Sequence, residues 1–188
     1  MSKTLSIGLK EWAVVCDALL SGRQAILLRK GGIYEAAGEF ELEHREFLLF
    51  PTFLHQNPDS VKSVWRSLIQ PHASEPASVQ IQGWAQVQWI GRVESRRKFD
   101  LLDDLHLWDT PLIDMRFNYR PDNPLYMILL RAWRLEKPAS IAVDADYAGC
   151  RSWVPLKTAV NIEPSRPVLA EEQMARIQQR LLGVCAPE

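Results

Sequence analysis

The stretch QAILLRKGGIYEAAGEFELEHREFLLFPTFLHQ, residues 24–56, decides the predicted fold. Two apolar runs within it, residues 25–28 and 47–50, have the length of β-strands. A polar segment that contains Gly31 and Gly32 connects the two runs. This pattern predicts two strands that pair with each other through an elaborated connection.

Hydrogen-bonding side chains follow both predicted strands. Arg29 and Lys30 come after the first strand, and His55 and Gln56 come after the second, so we expect them to gather at one rim of the sheet. In the run Arg29-Lys30-Gly31-Gly32, the glycines allow backbone N–H groups to approach an anion, and the flanking cations add charge. The run lacks the spacing of a Walker motif, so a phosphate site and an ordinary solvated hairpin turn both stay open.

Composition limits the class of protein. The chain has 188 residues, of which 47% are hydrophobic and 24% charged, which is typical of a folded globular protein. The longest apolar runs are shorter than the roughly 18 residues of a membrane span, and the N-terminus shows no apolar signal-peptide core. We therefore expect a cytoplasmic protein with no membrane contact. The formal net charge of −1 means that any nucleic-acid site must be local.

The cysteine and histidine pattern argues against a structural metal or a disulfide framework. Three cysteines, Cys16, Cys150 and Cys185, are widely spaced, and the histidines are scattered along the chain. We predict reduced thiols, no metal and no cofactor. Cys150 is the most interesting thiol because the neighbouring Arg151 would lower its pKa, although a small buried thiol is the simpler interpretation.

Periodicity predicts helices in the first part of the chain. Residues from Leu9 to Leu20 carry an apolar stripe of helical spacing, so we expect the N-terminus to enter a helix directly. Asn57-Pro58-Asp59 predicts the start of a second helix, whose apolar face contains Val61, Val64, Trp65, Leu68 and Ile69. The segment 71–78 is the best linker candidate, which suggests an N-terminal lobe (1–72) and a C-terminal lobe (77–188) that could also form one compact domain.

The second part of the chain predicts a bent sheet. Residues 79–94 alternate between apolar and polar, but sixteen straight residues would span roughly 50 Å, so the strand should bend at Gly83 or Gly91. Helical pieces follow over residues 99–120, then strands at 125–135 and 140–143, and a last helix at 170–182. The fold class is therefore α+β, with a mixed or strongly curved β-sheet covered by helices.

Aromatic and basic residues also accumulate in the second part. Arg131 and Trp133 share one face of a predicted strand, and Arg151 lies two residues before Trp153. Such a combination suits base stacking and phosphate contact. However, residues 92–134 contain eight Lys or Arg and seven Asp or Glu, so core tryptophans with surface arginines are the competing interpretation.

Four segments together resemble a known family. They are LKEWAVVCDALLSGRQAILLRKGGI (9–33), FLLFPTFLHQ (47–56), NPLYMILLRAW (123–133) and YAGCRSWVPL (147–156). They are similar to the uncharacterised bacterial family catalogued as domain of unknown function 1802. Members of that family occur beside restriction-endonuclease-type domains, so the resemblance implies a link to restriction or DNA modification. The second half is also similar in architecture to PUA-like barrels that bind RNA or a flipped modified base, which implies a partial barrel there.

These observations lead to one leading hypothesis and two alternatives. The leading hypothesis is a non-catalytic nucleic-acid-binding accessory protein, whose candidate ligand-binding residues are Arg29, Lys30, Gly31, Gly32, His55, Gln56, Arg131, Trp133, Cys150, Arg151 and Trp153. The first alternative is an enzyme acting on nucleotides or nucleic acids, centred on Asp144, Asp146 or Cys150. A restriction-type nuclease is disfavoured because no Lys has an acidic residue two positions before it. The second alternative is a scaffold that binds a protein partner, and the sequence leaves the oligomeric state open.

Overall fold

A computed structural model describes residues 2–30, 35–36, 39–40, 42–69, 72–93, 95–147 and 152–187. The strands are β1 (Thr4–Trp12), β2 (Ile26–Arg29), β3 (Glu35–Ala36), β4 (Glu39–Phe40), β5 (Glu46–Thr52), β6 (Ser78–Val93), β7 (Leu125–Ala142), β8 (Trp153–Asn161), β9 (Ser165–Pro167) and β10 (Cys185–Pro187). The helices are α1 (Ala13–Leu20), α2 (Ser63–Arg66), α3 (Arg96–Phe99), α4 (Thr110–Asn118) and α5 (Glu171–Leu182). Short 3-10 turns occur at Pro58–Ser60, Asp100–Leu105 and Ala145–Tyr147.

Eight strands of the described residues form one mixed sheet in the order β2-β7-β6-β5-β1-β8, with β9 beside β7 and β10 beside β6. β1 and β5 are parallel, whereas the other pairs are antiparallel. The predicted α+β class with a mixed, curved sheet is confirmed. Strands from both predicted lobes, 1–72 and 77–188, lie side by side in this sheet, and the two-lobe division stays a prediction.

The predicted hairpin between the two apolar runs of residues 24–56 is wrong. Both runs are strands, but β2 pairs with β7, and β5 pairs with β1 and β6. Residues from Phe47 to Pro51 are buried without alternation, as expected of a strand covered on both faces. A central strand of this kind has two neighbours, and here both come from distant parts of the chain.

The predicted N-terminal helix is wrong over its first residues. Residues up to Trp12 form β1, and the helix begins only at Ala13. β1 lies between β5 and β8, so two strand ladders outweigh the helical spacing of Leu9 and Trp12. Trp12 is therefore only partly buried, at the start of α1.

The predicted second helix is also shorter than expected. Asn57 accepts a hydrogen bond from the backbone N–H of Asp59, as a cap should, but it starts only a 3-10 turn. Trp65 is buried in the four-residue helix α2, whereas Val64 and Leu68 are 75% and 54% exposed. The single apolar face predicted for these residues is therefore wrong, because the chain does not stay helical between Val61 and Ile69.

The long strand β6 bends as predicted near Gly83. Its register with β7 shifts between Ile81 and Gly83 and again between Val87 and Trp89, and no shift occurs at Gly91. The shift near Gly83 changes which face the following side chains occupy. Val79 and Ile81 therefore lie in one apolar cluster and Ala85, Val87 and Val93 in the other, whereas the sequence placed all of them on one face.

Two apolar clusters cover the two faces of the sheet. The larger one contains α1, β2, the first half of β7 and the turn before α4. The smaller one contains Leu48, Ile81, Leu135, Val154 and Val160, from strands at the centre and near both ends of the sheet. These contacts require the sheet to curl, because a flat sheet would keep its outer strands apart. The predicted strands at 125–135 and 140–143 are one strand, and α5 ends at Gly183 as expected.

Candidate anion-binding site

A buried ion pair joins the C-terminal ends of β1 and β2. The guanidinium of Arg29 donates to the carboxylate of Glu11, and their side chains are only 14% and 10% exposed. β2 and β1 stand four steps apart in the sheet, which would be about 19 Å in a flat sheet at roughly 4.8 Å per step. The ion pair therefore exists only because the sheet curls its two ends toward each other.

A second arginine lies beside this ion pair. Burial lowers the pKa of Arg29 to about 10, and the positive charge of Arg116 contributes to the shift. Arg116, in the last turn of α4, is half-buried, and its own pKa is lowered by burial. Within the described residues Arg116 has no ion-pair or hydrogen-bond partner. Of the two guanidinium groups, only that of Arg29 is therefore paired with a carboxylate in the described structure.

Lys30 extends the positive charge toward solvent. Its Nζ donates to the carbonyl oxygen of Phe117, 2.7 Å away, which places it next to Arg116. Desolvation lowers the pKa of Lys30, and the carboxylate of the exposed Asp122 opposes that shift. We name Glu11, Arg29, Lys30 and Arg116 the cationic rim, since its three cations outnumber its one carboxylate.

Trp153 lies next to the cationic rim on the same face of the sheet. It pairs with Leu9, and Leu9 and Glu11 are two residues apart on β1, so the three side chains point to one side. The Trp153 ring contacts Phe47 and His44 edge-on, with centroids 5.2 Å and 5.1 Å apart. Its indole N–H is buried and has no hydrogen-bond partner in the part of the chain that is described.

His55 and Gln56, which the sequence placed among the candidate ligand-binding residues, lie in two different settings. Gln56 accepts a hydrogen bond from the backbone N–H of Val14, at 3.0 Å, and so caps the first turn of α1. His55 is exposed in a turn, with a backbone φ of 63°. Both lie near the end of β5, beside the junction of β1 and α1. Gln56 is therefore held in the structure, and His55 faces solvent.

Arg131 and Trp133 lie elsewhere, in a stack of aromatic rings and cations. The rings of Trp133 and Trp84 are parallel within 5°, with centroids 4.1 Å apart. Arg131 lies over Trp133 at 5.3 Å, and Lys3 lies over Trp84 at 4.9 Å. Arg131 also pairs with Glu171 at 2.5 Å. The predicted use of Trp133 for base stacking stays a prediction, and it would require Arg131 or Trp84 to move from the ring.

The sequence-predicted residues thus form separate groups. Arg29 pairs with Tyr126, and Arg131 is five residues further along β7, which is roughly 16 Å at the rise of a strand. Arg29, Lys30 and Trp153 surround the end of β1, whereas Arg131 and Trp133 do not. The predicted site residues Gly31, Gly32, Cys150 and Arg151 lie outside the described residues.

The acidic residues of the enzyme alternative are engaged in ion pairs. Lys157 contacts Asp144 at 2.5 Å and Asp146 at 3.2 Å. Hydrogen bonds from the backbone N–H of Asp146 and from Lys157 lower the pKa of Asp144. In the described ranges no three His, Cys, Asp or Glu side chains are grouped to hold a metal ion. Cys16 and Cys185 are buried and form no disulfide with each other or with another described residue.

Sequence reasoning did not identify two members of the cationic rim. Glu11 was expected in the first turn of a helix, where an acid favours the helix dipole, but it lies in β1 and pairs with Arg29. Arg116 belongs to a helix 87 residues after Arg29, and no motif connects the two. Glu11 directly follows another charged residue, Lys10, and neither Glu11 nor Arg116 lies in a sequence pattern that points to this site.

With the fold and the rim in place, comparison with known families gives one assignment. Residues 8–180 match the model of the family described as Domain of unknown function (DUF1802). The match covers most of the chain, so this protein belongs to that family, as its sequence segments predicted. No curated protein matches the chain.

Solved structures with a similar arrangement come from Zymomonas mobilis. The crystal structure of its ASCH protein has 12% sequence identity and a TM-score of 0.43, and the match covers 96% of each chain. Two single-substitution mutants of that protein give TM-scores of 0.46 and 0.43, with 13% and 12% identity. The matches to these mutants cover 96% and 99% of this chain and 98% and 100% of theirs. At these TM-scores no role passes from those proteins to this chain.

Among the described residues, no helix has the length and apolar character needed to span a bilayer.

Proposed function

We propose that this protein is a non-catalytic accessory protein that binds nucleic acid through the cationic rim. The observation that carries the proposal is the half-buried Arg116, which has no partner among the described residues and adjoins Phe117, whose carbonyl oxygen accepts a hydrogen bond from Lys30. Removing a charge from water costs free energy unless an opposite charge compensates it. A phosphate group supplies that charge, and a guanidinium matches it with paired hydrogen bonds.

The surroundings of the rim favour nucleic acid over a simple inorganic anion. Lys30 extends the cationic charge to solvent, where a second phosphate of a strand can reach it. Trp153 and His44 place aromatic rings on the same side of β1, and single strands bind to surfaces that combine cations with aromatic rings. With a net charge of −1 over the whole chain, attraction for a polyanion must come from a local group such as this.

The experiment is a fluorescence-anisotropy titration of single-stranded DNA and RNA at two salt concentrations. Arg116→Gln should weaken binding by about 10 to 100 times, since charge-assisted hydrogen bonds are lost, and should reduce the salt dependence by about one released counterion. Arg166→Gln is the matched control, because Arg166 is an exposed arginine of β9 that pairs with Arg134 in the other half of β7, and its loss changes the net charge equally. It should bind like the wild type.

Two results would contradict the proposal. One is an equal loss of affinity in both variants, which would indicate attraction by overall charge. The other is no binding tighter than about 100 μM, the weak edge of non-specific binding, which would favour the protein-binding scaffold. Cleavage of the oligonucleotide with magnesium present would favour the enzyme alternative. The link to restriction or modification systems stays a prediction from the family resemblance.

A further inference from the structure

We infer that the cationic rim recognises a terminal phosphate monoester, as found at the phosphorylated end of a nucleic-acid strand. This inference rests on the proposed function and specifies the group that the site takes. It follows from the burial of the ion pair, the unpaired donors of Arg116 within the described structure and the position of Lys30.

Depth is the first argument. The Glu11 and Arg29 side chains at the base of the rim are nine-tenths and more than four-fifths buried, whereas Lys30 is half-buried nearer the surface. A phosphodiester inside a strand has a nucleoside on both sides, and both must leave the site. A terminal phosphate has one linkage, so it can approach the two partly exposed cations, Arg116 and Lys30, with the rest of the strand directed to solvent.

The distribution of donors is the second argument. Arg29 has already committed one amino group to Glu11, and its Nε is buried without a partner in the described structure. Arg116 has all of its donors available there. A phosphate monoester presents three terminal oxygens, one more than the non-bridging pair of a diester, and it carries nearly two negative charges at pH 7. It therefore satisfies more of these donors than a diester does.

The charge balance is the third argument. Arg29 and Arg116 exceed Glu11 by one positive charge in the buried part, and Lys30 adds another, partly offset by the exposed Asp122. A group with nearly two negative charges compensates this excess better than a singly charged diester. A nucleoside monophosphate and inorganic phosphate have the same chemistry, so the experiment must separate them from a strand end.

The experiment compares oligonucleotides of one sequence with a 5′-phosphate, a 3′-phosphate or hydroxyls at both ends. A terminal phosphate should tighten binding by about 10 to 100 times, the range of one charge-assisted hydrogen bond. Arg116→Gln should abolish this difference, and Arg166→Gln should preserve it. Competition by inorganic phosphate and by a nucleoside monophosphate then shows whether the strand contributes: a strand end should bind at least about tenfold more tightly than either.

The outcomes separate this inference from the proposed function. Equal binding of all three oligonucleotides overturns the inference and leaves nucleic-acid binding intact. If no oligonucleotide binds, the proposed function fails. Thermal melting with inorganic phosphate then tests whether the cationic rim still binds a phosphate group. A phosphate-dependent rise of the melting temperature that Arg116→Gln loses supports a phosphate-monoester site, and no rise overturns it. Circular dichroism of Arg116→Gln establishes that the variant is folded.

Discussion

Three polar residues of the described chain are buried, and they differ in how many of their polar atoms have a hydrogen-bond or ion-pair partner. Glu11 pairs with Arg29. Gln24 uses both ends of its amide, donating to the carbonyl of Ile26 and accepting from the N–H of Leu107. His106 is 3% exposed, and neither of its ring nitrogens has a hydrogen-bond partner among the residues that the structure describes. His106 is therefore stable only as a neutral ring, stacked among aromatic side chains.

The first prediction concerns the pH dependence that His106 introduces. Burial lowers its pKa from 6.5 to about 4, and the ammonium of Lys62 acts in the same direction. The unfolded chain takes up the proton near pH 6.5, so the folded state loses stability as the pH falls from 6.5 toward 4. Between pH 7.5 and pH 5 the loss should be about 2 kcal/mol. Urea unfolding of the wild type and His106→Phe at both pH values measures it.

Between these two pH values the wild type should lose more stability than His106→Phe, and the difference should equal the loss predicted for protonation of His106. Phe cannot be protonated and still stacks on Phe99 and Trp108. The control is His72→Gln, which removes an exposed histidine and should leave the pH dependence unchanged. An identical pH dependence in the wild type and His106→Phe would show that His106 is accommodated equally well in both protonation states.

At the scale of elements, the bend of β6 has a steric cause. A Cβ atom on Gly83 would lie 2.3 Å from the carbonyl oxygen of Trp133 and 2.4 Å from Cδ2 of Leu20. Backbone cannot move aside as a flexible side chain can. Gly83 therefore lets β6 approach β7 and α1 closely at the register shift.

The second prediction follows from this contact. Gly83→Ala should reduce the free energy of unfolding by about 1 to 3 kcal/mol, the usual cost of overpacking, and more if the register shift is displaced. Gly183→Ala is the control, because its nearest contact would be 3.4 Å and its φ is −78°. Chemical denaturation of both variants measures the effect. Equal stability of the two would mean that β6 and β7 separate without cost.

Elements with local signals could be predicted, and those that depend on distant partners could not. α5 and the start of α4 at Thr110-Pro111 follow from spacing and capping, and β6 from strict alternation. The pairing of β2 with β7 joins residues about 100 positions apart, and no local pattern specifies it. The clean alternation of β6 was also misleading, because the register shift near Gly83 moves the apolar residues that follow it into the other cluster.

At the scale of the whole molecule, curling of the sheet creates the candidate site. The cationic signal of Arg29 and Lys30 was visible in the sequence, since charged residues directly followed an apolar strand. Their partners were not visible, because Glu11 and Arg116 reach them only after the outer strands approach each other and α4 packs beside them. A site that depends on curvature therefore requires the three-dimensional structure.

The last prediction tests whether the ion pair between Glu11 and Arg29 holds the two ends of the sheet together. Glu11→Leu should cost about 3 to 5 kcal/mol, because it leaves a largely buried guanidinium without its partner, and arginine cannot release its proton. Arg29→Met should cost less, because the carboxyl group of Glu11 can become neutral by protonation. The double variant Glu11→Leu/Arg29→Met should be more stable than Glu11→Leu alone, because no unpaired charge remains.

Urea unfolding of the wild type, both single variants and the double variant completes the thermodynamic cycle. The cost of Arg29→Met should shrink as the pH is lowered from 7 to 5, since protonation of Glu11 then becomes easier, whereas the cost of Glu11→Leu should not. Lys3→Met is the comparison, because Lys3 pairs with Glu46 between side chains that are 43% and 30% exposed and should change stability by less than about 1 kcal/mol. If Glu11→Leu behaved like Lys3→Met, the curl would depend on apolar packing alone, and the ion pair would serve only to place Arg29 beside Arg116.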